Sequence, residues 1–251
     1  MSKLSISQRI HNAVASRAVE EIKAIHAYVH GIGYNREEWD TLWSQSPNTT
    51  WGHAFGRMVG PEEIYLNSVA HCDKMACDGF IACIDANKEF WGHDIRSAGM
   101  SGTHSLASSV IEVAEDGQSA RSFYLTPGGM IGARMRLESK NERFGGWIWE
   151  RYGSDFVLEN GKWLYFHEQV CPDIDSEYDT ANWAYDEFAA HLENPINEGS
   201  MGGDPARLTD PGPLHFNFTC FQTVQDTVVP PKPYKTLDDE HSYSTPGRNT
   251  V

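Results

Sequence analysis

The chain has 251 residues, 40% of them hydrophobic, enough to bury an ordinary globular core and to argue against disorder throughout. Its 35 acidic residues against 20 basic ones leave a formal charge of -15, and no Lys or Arg cluster is present to neutralise a phosphate backbone, so no nucleic-acid partner is expected. No apolar run approaches the roughly 20 residues that span a bilayer, and the start, MSKLSISQRI, lacks the apolar core of a secretory signal, so a cytoplasmic protein without a membrane partner is expected.

From Ser7 onward Ile10, Val14, Ala18, Ile22, Ile25, Val29 and Ile32 recur every three or four residues, which predicts a helix with these on its buried face, ended by Gly31 and Gly33. A second, short helix is predicted from Asn35 as cap, Glu37 and Glu38 in the first turn, and Trp39, Leu42 and Trp43 as its buried side. Thr49 to Phe55 has strand character, and Gly56 to Gly60 reads as a turn. Pro61 then opens a third helix carrying Ile64, Leu66 and Val69. Residues 73 to 100 have no clear period and read as an insertion over a pocket.

From Gly102 the strand signal strengthens. Asp116-Gly117 and Asn160-Gly161 each lie between alternating apolar segments, the signature of antiparallel hairpins. Gly128-Gly129 and Gly145-Gly146 are expected to separate an intervening strand, Met130 to Leu137, from its neighbours. After Cys171 the character shifts to one helix, Ala181 to Leu192, and some sixty residues rich in Pro, Gly, Asp and Thr. Phe216, Phe218, Phe221 and Tyr234 are too many aromatics for a free tail, so it is expected to wrap along its own subunit or a neighbour.

If Asn160-Gly161 is a two-residue turn, the pairing counts back as Leu158 with Trp163, Phe156 with Tyr165, Ser154 with His167 and Tyr152 with Gln169, with Glu150 on the same face. Val157, Leu164, Asp155, Phe166, Arg151 and Val170 then share the other, and Gly153 could host a bulge. The first face has the makeup of a ligand pocket: an aromatic floor of Phe156, Trp163 and Tyr165 with a few convergent polar groups, His167, Tyr152 and Glu150. The alternative is that Tyr152 and His167 are core residues whose polar atoms bond backbone. In THSLASSVIEV the alternation places His104 on the side of Leu106, Ser108 and Val110, and a strand histidine costs desolvation unless partnered. Tyr28 and His26 could reach across the mouth, and Trp51 and His53 alternate on the preceding strand. Arg134 reads equally as a partner of a surface carboxylate.

No cofactor and no metal are expected. Five cysteines, Cys72, Cys77, Cys83, Cys171 and Cys220, lack paired CxxC spacing and read as reduced thiols. His26 and His30 share i,i+4 spacing, a pattern commoner on a helix surface than in a metal site.

The order of a helix, a short helix ending in EEWDTL, a strand, a GRMVGPEEI helix and a meander finishing YGSDFVLENGKWLYFHEQV resembles the SnoaL-like group of the NTF2-like superfamily over roughly residues 8 to 175. The specific pieces are His104 followed by VIEVAEDGQSA and the last hairpin with FV-x-E-x-G-x-W. PPKPYKTLDDEHSY resembles a tail of a longer branch of the group. The resemblance implies an α+β NTF2-like cone over residues 1-175, a curved antiparallel sheet packed by N-terminal helices, with a long C-terminal extension over 176-251. It also implies a homodimer or homotrimer, and cofactor-free chemistry of the kind run by ketosteroid isomerases, scytalone-type dehydratases and lyases of lignin-derived diarylpropanes. His104 matches a strand histidine that dehydratase-like members use, and His167 falls where several members keep a catalytic group. Asn35 departs from the aspartate many members carry.

The expectation drawn is a lyase, dehydrating or losing formaldehyde from a hydroxylated aromatic small molecule. His104 or His167 would move the proton, and Tyr152 with Glu150 would polarise the oxygen. Tyr28, Trp51, His53, Phe156, Trp163 and Tyr165 would hold the hydrophobic substrate. A ketone or enone isomerase using Glu150, Asp155 or Glu168 as base and a non-catalytic binding or assembly module are the rivals.

Overall fold

The computed structural model describes residues 4–31, 35–53, 56–66, 100–133, 143–177, 228–237 and 242–244. In chain order these form helices α1 (Ile6–Gly31) and α2 (Asn35–Leu42), strands β1 (Thr50–His53) and β2 (Gly56–Val59), a single turn of helix α3 (Pro61–Ile64), and strands β3 (Met100–His104), β4 (Ala107–Val113), β5 (Ser119–Ala133), β6 (Arg143–Glu159) and β7 (Lys162–Glu177). The strands make one sheet in the order β2-β1-β7-β6-β5-β3, with β4 also on β5. The result is the expected α+β arrangement of helices against a curved, unclosed sheet. One feature differs from an all-antiparallel sheet: β1 joins β7 in parallel, Thr50 opposite His167.

The last hairpin is built as its turn dictates. Asn160 and Gly161 both have positive φ, 51° and 79°, the twist that suits a two-residue connection, and Glu159 pairs with Lys162. Leu158 with Trp163 and Phe156 with Tyr165 follow in the expected register. Then Phe166 stands as an extra residue on β7, so Asp155 pairs with His167, Ser154 with Glu168, Gly153 with Gln169 and Tyr152 with Val170. A one-residue bulge transfers the side chains that follow to the opposite face, here from His167 to Pro172, before a second shift at Asp173. The face assignment of His167, Gln169 and Val170 is thereby reversed. The bulge sits at Phe166 on β7, whereas Gly153 on β6 was the residue available for one.

Other boundaries move as well. β5 runs unbroken through Gly128-Gly129 and β6 through Gly145-Gly146, because the two strands pair continuously from Ser119 with Val157 to Ala133 with Arg143. These glycine pairs therefore do not separate a strand. The 56–60 segment is mostly strand, since Gly56 to Val59 returns along β1 as a short hairpin. His104 ends β3 rather than opening β4; Ser108 has φ 52° and the β4 register shifts between Ala107 and Val110, so alternation does not carry across this stretch.

The face of α1 is also rotated from the expected one. Ala15, Val19, Ile22, Lys23 and His26 are buried, whereas Ile10 and Val14 are 61% and 65% exposed. Both stripes have helical spacing, and sheet contact selects the one that brings Lys23 and His26 inside. α2 behaves as its sequence predicts: Trp39 and Leu42, with Trp43 just beyond its end, are buried and join the core of Val19, Ile22, Met58, Ile64, Phe156 and Tyr165.

Two described pieces of the C-terminal extension lie on the side of the sheet away from α1. Tyr243 packs with Phe123, Cys171 and Val228, so closely over β6 that a Cβ on Gly153 would meet its ring at 2.3 Å. Backbone amides of Glu115 and Asp116 donate to Tyr234 O and Lys235 O. The predicted helix Ala181 to Leu192, residues 73 to 99, Arg134, Phe55, Val69, Phe216, Phe218 and Phe221 lie outside the described residues.

Candidate active site

Glu150 lies on the helix-covered face of β6 and gathers three polar side chains. Tyr152 OH donates to its Oε2 at 2.9 Å, His104 Nδ1 from the end of β3 lies 3.2 Å from the same oxygen, and His53 Nε2 from β1 lies 3.7 Å from Oε1. The His104 contact is a close charge contact whose alignment falls short of a hydrogen bond. All three elements are needed to assemble it, since β3 and β1 are far apart in the sheet order. Burial pulls the Glu150 carboxyl upward, yet the imidazoles of His104 and His53 outweigh it and hold the group well below the usual carboxylate range. Burial and the charges of Glu150 and Glu168 push the Tyr152 phenol far above its ordinary value, so it serves as a neutral donor.

A second histidine–carboxylate pair adjoins this one. His26 Nδ1 lies 2.7 Å from Glu38 Oε1, which also accepts from Trp43 Nε1 at 3.2 Å. Burial lowers the His26 imidazole, but Glu38 and Glu168 outweigh it and raise the group above its ordinary value. Burial raises Glu38 in turn, and His26 more than reverses that. The His26 ring meets Tyr152 and Tyr165 edge-on at 6.0 and 5.7 Å.

Deeper on the same face, Lys23 Nζ donates to Glu168 Oε1 at 2.6 Å and to Ser154 Oγ at 3.3 Å, with both charged side chains fully buried. Its ammonium stands 4.6 Å from the Tyr152 ring centroid and 5.2 Å from that of Tyr165, a cation over two aromatic faces. Nothing in the local sequence marks Lys23. Only the helix rotation and the Phe166 bulge bring it and Glu168 together.

The structure thus brings together His104, Glu150, Tyr152 and His53 among the expected residues and leaves His167 out. His167 lies on the reverse face, where Nδ1 is 2.8 Å from Asp155 Oδ2 and 2.9 Å from Ser242 Oγ, and Nε2 is 3.1 Å from Asn48 O. Its expected place beside Tyr152 and Glu150 is corrected by the bulge. Phe156, Trp163 and Tyr165 are core residues sealed under α1 and α2, with Trp43 stacked on Tyr165 at 4.9 Å; they do not form an open floor. Trp51 is half-buried with its ring 5.9 Å from that of His53, while Tyr28 is 66% exposed and does not converge on Glu150. His26, expected on the helix surface, is buried.

Among the described residues no group of three or more His, Cys, Asp or Glu side chains is arranged to hold a metal ion, and no helix is long and apolar enough to cross a membrane. Cys171 is a free buried thiol, pushed by burial up to about 12.

No protein-family model matches the chain, and no curated protein matches it. Among solved structures it is similar to a scytalone dehydratase-like protein of Novosphingobium aromaticivorans, with TM-score 0.46 and 13% identity over 68% of this chain and 91% of that one. It is similar to LinA at TM-score 0.47 and 9% identity, covering 68% and 93%. An NTF2-like protein with a cystatin-like fold, also from Novosphingobium aromaticivorans, gives TM-score 0.41 and 15% identity over 68% and 90%. The α+β description itself rests on the strand pairing and helix packing above.

Proposed function

We propose that the chain is a lyase that eliminates water or formaldehyde from a hydroxylated aromatic small molecule, such as a lignin-derived diarylpropane diol, by acid–base chemistry without a cofactor. The observation that carries this reading is the buried His104–Glu150–Tyr152 array. A carboxylate held ionised against Nδ1 of an imidazole orients the ring and stabilises the charge it gains when the opposite nitrogen takes a proton. Tyr152 donates to Glu150, so its role is to hold the carboxylate. It does not face the substrate as the oxygen-polarising donor that the sequence suggested.

The isomerase alternative needs a carboxylate as base. Glu150 fits that poorly, because His104 and Tyr152 engage it and its basicity is reduced. The reading of a non-catalytic module predicts that replacing His104 alters nothing. The test is incubation of the purified chain with a 1,2-diarylpropane-1,3-diol and mass analysis of the products. Loss of water or formaldehyde supports the lyase, an isomer of unchanged mass supports the isomerase, and unchanged diol with intact fold removes both. A homodimer or homotrimer located in the cytoplasm is part of the same proposal, checked by light scattering and fractionation.

A further inference from the structure

The last turn of α1 brings another imidazole to this site. Gly31 approaches β3 so closely that a Cβ there would stand 2.8 Å from Gly102 O, a contact that fixes the helix end against the strand carrying His104. One residue earlier, His30 has its ring centroid 5.7 Å from that of His104, the planes inclined at 48°. On its other side the ring stacks on His26 at 5.5 Å and 8°. His30 therefore stands between two histidine–carboxylate pairs, His104 with Glu150 and His26 with Glu38.

Its surroundings suit a proton donor. His30 is half-buried, whereas His26, Glu38 and Glu150 are buried, so it is more accessible than these three. It lies in the last turn of a 26-residue helix, whose terminal carbonyls favour a cation. Among the described residues, groups that face it include His26 from its own helix, Glu38 from α2, His104 from β3 and, through His104, Glu150 from β6.

We propose that His30 is a catalytic acid of this site, giving its proton to the leaving oxygen while His104 takes a proton from the substrate. The inference rests on the lyase reading. In a dehydration the carbon-bound proton passes to His104 and its electron pair becomes the new C=C bond. The C–O bond breaks with its pair going to oxygen, and that oxygen takes a proton from His30 and departs as water. One proton then returns from His104 to His30 through solvent. In formaldehyde loss the first proton comes from a hydroxyl, the C–C bond breaks as that carbonyl forms, and the released pair expels the neighbouring hydroxyl, again protonated by His30.

The experiment compares the unaltered chain with His30→Gln on a 1,2-diarylpropane-1,3-diol, with circular dichroism to verify the fold. The expected result is a kcat reduced by about a hundredfold, a nearly unchanged KM, and disappearance of the alkaline limb of the pH profile, which a purely structural role would leave in place. A kcat within about threefold of the original with that limb retained would overturn the assignment. A second readout needs no turnover: in imidazole NMR spectra of the free protein, His30→Gln should move the ring resonances of His104, because an aromatic ring centred 5.7 Å away is removed. No shift there overturns the assignment as well. Absence of turnover by the unaltered chain would instead remove the lyase reading, while the spectra independently keep or remove the contact of His30 with His104.

Discussion

Each face of the sheet carries a buried histidine–carboxylate pair, and the two differ in what surrounds them. On the reverse face Asp155 is saturated: it lies 2.8 Å from His167 Nδ1 and accepts from Arg121 Nε at 3.2 Å, Ser242 Oγ at 2.7 Å and Tyr243 N at 2.9 Å. Both nitrogens of His167 are engaged as well, and Arg121 is stacked 4.1 Å from the Tyr234 ring. On the helix-covered face His104 meets Glu150, among the described residues, through Nδ1 alone, beside the half-buried His30. A pair with every polar atom occupied holds structure together; a pair with a ring nitrogen left over has capacity for proton transfer. The residue types are alike, and their neighbours set the roles apart.

The hardest test of this contrast is Asp155→Asn. Removing the one charge on which Arg121, His167 and Ser242 converge breaks a buried network, so a loss of about 3–5 kcal/mol is expected in denaturant unfolding, with turnover per folded molecule preserved. Loss of turnover without loss of stability would reverse the roles assigned to the two faces. Next in size, His104→Ala should lower kcat by about a hundredfold, equivalent to about 2.7 kcal/mol of barrier. His167→Ala should leave kcat nearly unchanged and lower the stability instead. Equal kinetic losses in both variants would end the distinction.

Gly153→Ala probes the reverse face alone. Its methyl would lie 2.3 Å from Tyr243 Cδ1, so the tail must shift; about 1–3 kcal/mol of destabilisation is expected, with faster proteolysis around residues 242–244 and unaltered kinetics. The smallest effects are in the pH dependence of stability. Glu150 is depressed below its ordinary 4.5, so its contribution is present above that pH and lost as pH falls toward the folded-state value. Melting curves of Glu150→Gln should therefore be flatter on the acid side than those of the parent. His26 is raised above 6.5, so its contribution is complete below that pH and lost as pH rises through the folded-state value. The difference between the parent and His26→Gln should shrink above neutrality, by about 1.4 kcal/mol per unit of pKa difference. A difference that grows with pH would contradict the His26–Glu38 pairing.

What the sequence determined by itself was local. Asn160-Gly161 specified a two-residue turn and with it the first pairs of the last hairpin, because only a few residue types take two successive positive φ values without strain. The short helix from Asn35, with Trp39, Leu42 and Trp43 turned inward, followed from its acidic first turn and its spacing. His104, Glu150 and Tyr152 were legible as unusual polar residues on strands that should be apolar. Tertiary structure decided the rest. Two stripes of α1 were compatible with a helix, and only the sheet could choose the one carrying Lys23 and His26 inward. One extra residue at Phe166 sent His167 through the sheet to meet Asp155 and Ser242, 75 residues away in the chain. A strand has period two, so a single inserted residue reverses the faces of those that follow until another shift, and no local pattern announces it.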